Sequence, residues 1–144
     1  MKTQFTYSHD CFMSYAHEDQ HDFVAPLVAK LQKLGFVVWY DSESIHIGSP
    51  ISEAIDQGLL CSRFIIVILS PNYITKHWPR VECQSALQIE SSVGRDVVIP
   101  VWLDVEYQDI LHFSPMIAGR LAVRGTKASV SDVAIEIAAR MNCA

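Results

Sequence analysis

The sequence predicts an α/β fold, a parallel β-sheet with helices on both faces. Three observations predict it. Short apolar segments alternate with stretches of helical periodicity, at most about five of each, and that alternation marks βα units. The most apolar run, Phe64-Ile65-Ile66-Val67-Ile68-Leu69, is rich in β-branched residues and closes on Ser70-Pro71-Asn72. Such a run suits a strand buried on both faces in mid-sheet. The 144 residues, 50% hydrophobic and 19% charged, are enough for one domain with a real core and exclude a disordered chain.

Taken in order, Met1 to His9 reads as a ragged leader and Asp10 to Tyr15 as the first strand. Ala16 to Gln20 is an acidic loop at its carboxyl end. Asp22 is placed to cap the first helix, and Pro26 falls in the first turn, where Pro is tolerated. Phe23, Leu27, Leu31 and Leu34 recur at helical spacing until Gly35 ends the helix. Phe36 to Tyr40 is the second strand. Asp41 to Pro50 forms a loop longer than the roughly 2–6 residues usual in an α/β unit, and long loops on a rigid scaffold often carry function. Ser49 and Pro50 open a helix through Leu60, with Ile51, Ala54, Ile55 and Leu59 inward. Arg63 to Leu69 is the third strand, and a helix runs from Pro79 to about Ser91.

Val97 to Leu103 is the fourth strand. Pro100 brings no ladder donor, which requires a bulge or a free N–H side there. Tyr107 to Gly119 has no clean period and reads as irregular. Leu121 to Val123 is a short fifth strand at an edge. Ser129 or Ser131 caps a last helix, with Val133, Ala134, Ile137, Ala138 and Met141 on one face. Right-handed crossovers favour the strand order 2-1-3-4-5, the flavodoxin-like three-layer sandwich with a five-stranded parallel sheet. Strands one and three are then neighbours at the switch point, where open α/β sheets bind ligands. Three loops meet there: Tyr15 to Gln20, Asp41 to Pro50 and Ser70 to His77. The chain reads as a single domain over 1–144, with its core at about 10–141. Ending just after a helix suits a domain excised from a longer multidomain chain.

Composition narrows the function. A net charge of -5 without a Lys/Arg cluster gives no footprint for nucleic acid or anionic lipid. No apolar run approaches a membrane span, and the N-terminus has no signal-peptide core. Cys11, Cys61, Cys83 and Cys143 are far apart, as in reduced cytoplasmic proteins, and offer no metal spacing. The six histidines have no partner at fixed spacing and read as solvated, four of them in polar loops. There is no GxGxxG, P-loop or GxSxG motif. A phosphoacceptor receiver needs an Asp ending the third strand, where Ser70 stands. What remains is Trp78-Pro79-Arg80-Val81-Glu82 beyond the central strand. Pro79 at a first helical position places Glu82 in the first turn, where the helix dipole favours a carboxylate. Both Trp and Glu also occur at helix starts for packing alone.

The segment DCFMSYAHED (10–19) resembles the first box of Toll/interleukin-1 receptor (TIR) domains. LGFVVWYD (34–41) followed by Gly48 resembles their second strand and BB loop. ISEAIDQGLLCSRFIIVILSPNY (51–73), followed by Trp78 and Glu82, resembles the central stretch of bacterial, NAD-cleaving members. Each box alone is loose; the three in order, with W-x-x-x-E after SPNY, are specific. The resemblance implies a flavodoxin-like fold and cleavage of the nicotinamide–ribose bond of NAD+, with no cofactor. It implies Glu82 as the catalytic carboxylate, and Ser14, Tyr15, Asp41, Gly48, Ser70, Trp78 and Tyr107 about the substrate, Tyr107 against the adenine of a neighbouring subunit. It further implies a bacterial immune (anti-phage) or signalling context, a fused or partner sensor domain, and activation by self-association. Ile45, Ile47 and Ile51, apolar among polar loop residues, are the expected contact. The BB loop reads Asp41-Ser-Glu-Ser-Ile-His-Ile-Gly48 and lacks the Arg-Asp-x-x-Pro-Gly of animal receptors, and no Phe-Trp third box is visible. The alternative is a non-catalytic module that signals by TIR–TIR contact.

Overall fold

The computed structural model describes residues 7–39, 61–75, 87–92, 94 and 96–143. Five parallel strands form one sheet in the order β2-β1-β3-β4-β5: β1 His9–Ser14, β2 Val38–Trp39, β3 Ser62–Leu69, β4 Val98–Leu103 and β5 Val123–Gly125. This is the flavodoxin-like order expected from sequence. β3 lies at the centre, and Ile65 to Leu69 are each fully buried. Each such side chain stabilises the fold by about 1.5–3 kcal/mol.

The two faces of the sheet bury different helices. On one face Cys11, Met13, Phe64, Ile66, Ile68, Ile99, Val101 and Val123 meet α1 (Ala25–Lys33) and α5 (Val130–Asn142) through Leu27, Leu31, Val133 and Ile137. On the other face Phe12, Ile65, Val67, Leu69, Val98 and Trp102 meet three short helices, α2 (Pro71–Ile74), α3 (Tyr107–Phe113) and α4 (Pro115–Ala118), through Tyr73, Ile110, Phe113 and Ile117. Alternate residues of β1, β3 and β4 thus serve opposite cores, as the pleat requires. Helix α1 closes on Gly35 at φ 97°. Phe36 N–H donates to Leu31 C=O (3.1 Å) and Gly35 N–H to Gln32 C=O (3.0 Å), which is the Schellman pattern.

Several elements differ from the sequence reading. Asp22 caps nothing. A 3₁₀ turn (His17–Asp19) and a π turn (Gln20–Val24) lead into α1, whose N-cap is Val24 with no side-chain bond; Asp22 lies 3.5 Å from Lys127 Nζ instead. Leu34 is the C-cap of α1 and is 53% exposed, so the inward stripe ends at Leu31. The stretch 107–119 is helical and not irregular. Glu106 and Asp109 form a capping box for α3, and Ser114 Oγ accepts from Ile117 N–H at the start of α4. The fifth strand begins at Val123, two residues later than expected, because Leu121 C=O accepts from Arg140 Nη1 (2.8 Å) and is tied to α5. Ser129 is the N-cap residue of α5, as expected, but its side chain makes no cap bond; its hydroxyl bonds Thr126 N–H and C=O instead. Ser131 lies within α5 and is exposed. At Pro100 the register with β3 runs without a bulge, and β5 pairs only from Val101 onward. The helix expected over 49–60 lies outside the described residues, as does the start of the one expected from Pro79; residues 87–92 are helical.

Candidate active site

The switch point lies at the carboxyl ends of β1 and β3, where β1 is flanked by β2 and β3. Ser14 is the last residue of β1. It is buried, and its Oγ lies 2.8 Å from Tyr73 Oη. Tyr15 follows, half-buried against the α1 face. Ser70 follows β3 and is the N-cap of α2, accepting from Tyr73 N–H at 3.1 Å. Pro71 takes the first helical position, so Ser-Pro-Asn turns the chain sharply out of the sheet.

The Ser70 hydroxyl donates to Asp19 Oδ2, and Asn72 Nδ2 donates to Asp19 Oδ1 at 3.0 Å. Asp19 is 2% exposed. One carboxylate from the loop after β1 therefore receives two donors from the turn after β3. The sequence reading missed Asp19, folding it into an acidic loop. A signal existed: once the order 2-1-3-4-5 is accepted, AHED and SPN leave adjacent strands on the same edge, so an acceptor faces donors.

Tyr107 stands apart from this network. It opens α3 beyond β4, is half exposed, and its ring centroid lies 6.3 Å from that of Trp102, over which the Arg124 guanidinium sits at 4.7 Å. The chain reaches it through Asp104, whose φ of 53° lies in the left-handed region that Asp tolerates. Asp41, Gly48, Trp78, Glu82, Ile45, Ile47 and Ile51 lie outside the described residues. The structure thus joins Ser70 to Asp19 directly and Ser14 to the same turn through Tyr73, while Tyr15 packs against the α1 face.

Nucleophiles and bases elsewhere are few. Burial, with a smaller contribution from Asp10, pushes the Cys11 thiol up to about 12, which removes it as a nucleophile. His17, His21 and His112 are exposed. His9 is no loop residue; it opens β1, with Nδ1 2.7 Å from Ser8 Oγ and its ring against Trp39.

The family model for the TIR domain matches residues 11–133. The chain belongs to the TIR family. It is similar to PdTIR of Paracoccus denitrificans, named an NAD(+) hydrolase, at 40% identity over 91% of this chain and 44% of that protein. It is similar to AbTIR of Acinetobacter baumannii, named a 2' cyclic ADP-D-ribose synthase, at 35% identity over 90% of this chain and 48% of that protein. Among solved structures, the TIR domains of the activated Roq1 resistosome superpose with a TM-score of 0.62 at 26% identity, over 78% of this chain and 72% of that chain. This TIR domain spans about half the length of the two bacterial relatives. Among its described residues no helix is long and apolar enough to cross a membrane.

Proposed function

We propose that this TIR domain cleaves the nicotinamide–ribose bond of NAD+. The reading rests on one observation: a W-x-x-x-E pair, Trp78 and Glu82, follows directly on the strand and turn that border the switch point. Relatives named for NAD+ hydrolysis and for cyclic ADP-ribose synthesis support it.

The chemistry follows from the bond. Nicotinamide departs as a neutral ring, so the leaving group needs no strong acid. Positive charge develops on the ribose as an oxocarbenium ion, as in glycoside hydrolysis. A carboxylate at position 82 stabilises that charge and orients the ribose hydroxyls. Water adding to the ribose carbon gives ADP-ribose and a proton. A nucleophile within the same molecule gives a cyclic isomer. Ser14, Tyr15, Asp41, Gly48 and Ser70 border the substrate in this reading, Trp78 walls the site, and Tyr107 meets the adenine of a neighbour. NAD+ is the substrate, and neither a cofactor nor a metal takes part. We propose too that the domain works within a longer chain or beside a sensor partner, in a bacterial defence or signalling setting, and that copies associate through Ile45, Ile47 and Ile51.

The test is nicotinamide release and product chromatography on wild type and Glu82→Gln. Loss of all cleavage in a variant with the wild-type melting temperature is expected; a folded variant keeping more than a few per cent of activity sinks the assignment. A wild type that cleaves nothing at any concentration leaves the non-catalytic interaction module. Unchanged activity in a chelator is expected. Ile47→Glu should lower specific activity and flatten its rise with protein concentration, with light scattering reporting assembly.

A further inference from the structure

We propose that Asp19 is a positioning residue of this site: its carboxylate fixes the turn after β3 to the loop after β1, and so sets where the segment leading to Trp78 and Glu82 leaves the sheet. The proposal rests on the NAD+ reading for its kinetic consequence and on geometry for the tie itself. Asp19 is 2% exposed, and its two hydrogen-bond partners, Ser70 Oγ and Asn72 Nδ2, are neutral. Among the described residues it forms no ion pair. Burying a carboxylate against neutral donors costs more than burying a neutral or apolar side chain of the same size. Stability alone therefore does not call for an acid there.

What the carboxylate does provide is two strong acceptors in one plane, each aimed at a different residue of one short turn. Ser70 is simultaneously held as the N-cap of α2, accepting from Tyr73 N–H at 3.1 Å. A second tie, Ser14 Oγ to Tyr73 Oη at 2.8 Å, runs from β1 to the same turn. Between them these bonds hold α2 at both its cap and its third residue. The chain leaves α2 at Ile74, four positions before Trp78 and eight before Glu82 (78 − 74 and 82 − 74). A displacement of about 1 Å at a reacting group costs on the order of 100-fold in rate.

The experiment is a double-substitution cycle at positions 19 and 72, read by steady-state kinetics and by amide hydrogen exchange. Asp19→Ala should lower kcat about 30-fold or more, by the positioning argument, with KM within about threefold. Asn72→Asp sets two carboxylates face to face and should also lower kcat. In Asp19→Asn/Asn72→Asp the amide introduced at 19 donates to the carboxylate introduced at 72, while its oxygen accepts from the Ser70 hydroxyl. All three groups are again satisfied, and kcat should recover to above either single variant. Exchange at the Tyr73 and Ile74 amides should quicken in the single variants and slow again in the double one. A residue serving stability alone would lower the melting temperature and leave kcat per folded molecule unchanged, and that result overturns the proposal. So does a folded double variant no faster than its singles. Asp19→Asn replaces Asp19→Ala in the kinetics if the alanine variant does not fold. If wild type releases no nicotinamide, the NAD+ reading fails; exchange at Tyr73 and Ile74 then decides the tie, which falls if Asn72→Asp leaves it unchanged.

Discussion

Two buried carboxylates sit at opposite edges of the sheet, and they are held in opposite ways. Glu90 lies at the amino edge, within the helical residues 87–92. Its Oε2 accepts from Val97 N–H and Val98 N–H, each at 2.9 Å, and its Oε1 pairs with Arg120. Asp19 lies at the carboxyl edge and, among the described residues, its carboxylate accepts from neutral side chains only. Burial pushes the Glu90 carboxyl up, but the Arg120 guanidinium and the two backbone donors outweigh it and hold the carboxyl below its ordinary value. A carboxylate with a cation and backbone amides around it is compensated where it stands, and so serves as an anchor. One held by side-chain hydroxyl and amide groups instead ties two loops together at the switch point, in the region where a ligand is expected.

This contrast can be broken by substitution. The largest effect is expected at the anchor: Glu90→Ala leaves Arg120 and two backbone N–H groups without their acceptor and should cost about 3 kcal/mol, read from urea unfolding. Nicotinamide release per folded molecule should not change; a fall in kcat there would erase the distinction between the two edges. Next is the pH dependence of the same group. Its folded pKa lies below its unfolded one, so its contribution is full above the unfolded value of about 4.5 and is lost as pH falls through the folded value. Wild type should therefore lose unfolding free energy more steeply below about pH 4.5 than Glu90→Gln, and parallel acid profiles would contradict the assignment.

Ser70→Ala removes the cap of α2 and one partner of Asp19. It should cost about 1–2 kcal/mol and lower kcat as well, the pairing of effects that separates the carboxyl edge from the amino edge. The smallest effect is expected at Lys127, paired at 3.5 Å with Asp22 where both are more than half exposed. Lys127→Ala should cost less than about 1 kcal/mol and leave kcat alone, which calibrates the other three.

The strand order was legible in the sequence because burial on two faces leaves unbroken β-branched runs, as in Phe64 to Leu69, and because alternation constrains topology. Helices α3 and α4 were not legible. Ser114-Pro115 divides them, and seven and four residues are too few for a 3.6-residue period to declare itself. The first helix was misread at its start, because the preceding 3₁₀ and π turns supply carbonyls that a sequence reading assigns to a side-chain cap. Trp78 and Glu82 stand out by spacing and family pattern, and both lie outside the described residues. Asp19 was legible only by way of the strand order, because its bonds to Ser70 and Asn72 join two loops more than fifty positions apart in sequence, and local periodicity carries no record of such pairings.

The sheet is wide in the middle and short at its β5 rim. β3 runs for eight residues, whereas β5, the outer strand beside β4, runs for three. A rim of that length offers few backbone donors and acceptors for another chain to pair with. Ribbon-like growth by strand addition at the β5 edge is therefore a poor route for this domain. Assembly on that side of the domain would have to be written in side chains on loops and helices, where a single substitution can switch it on or off without touching the sheet.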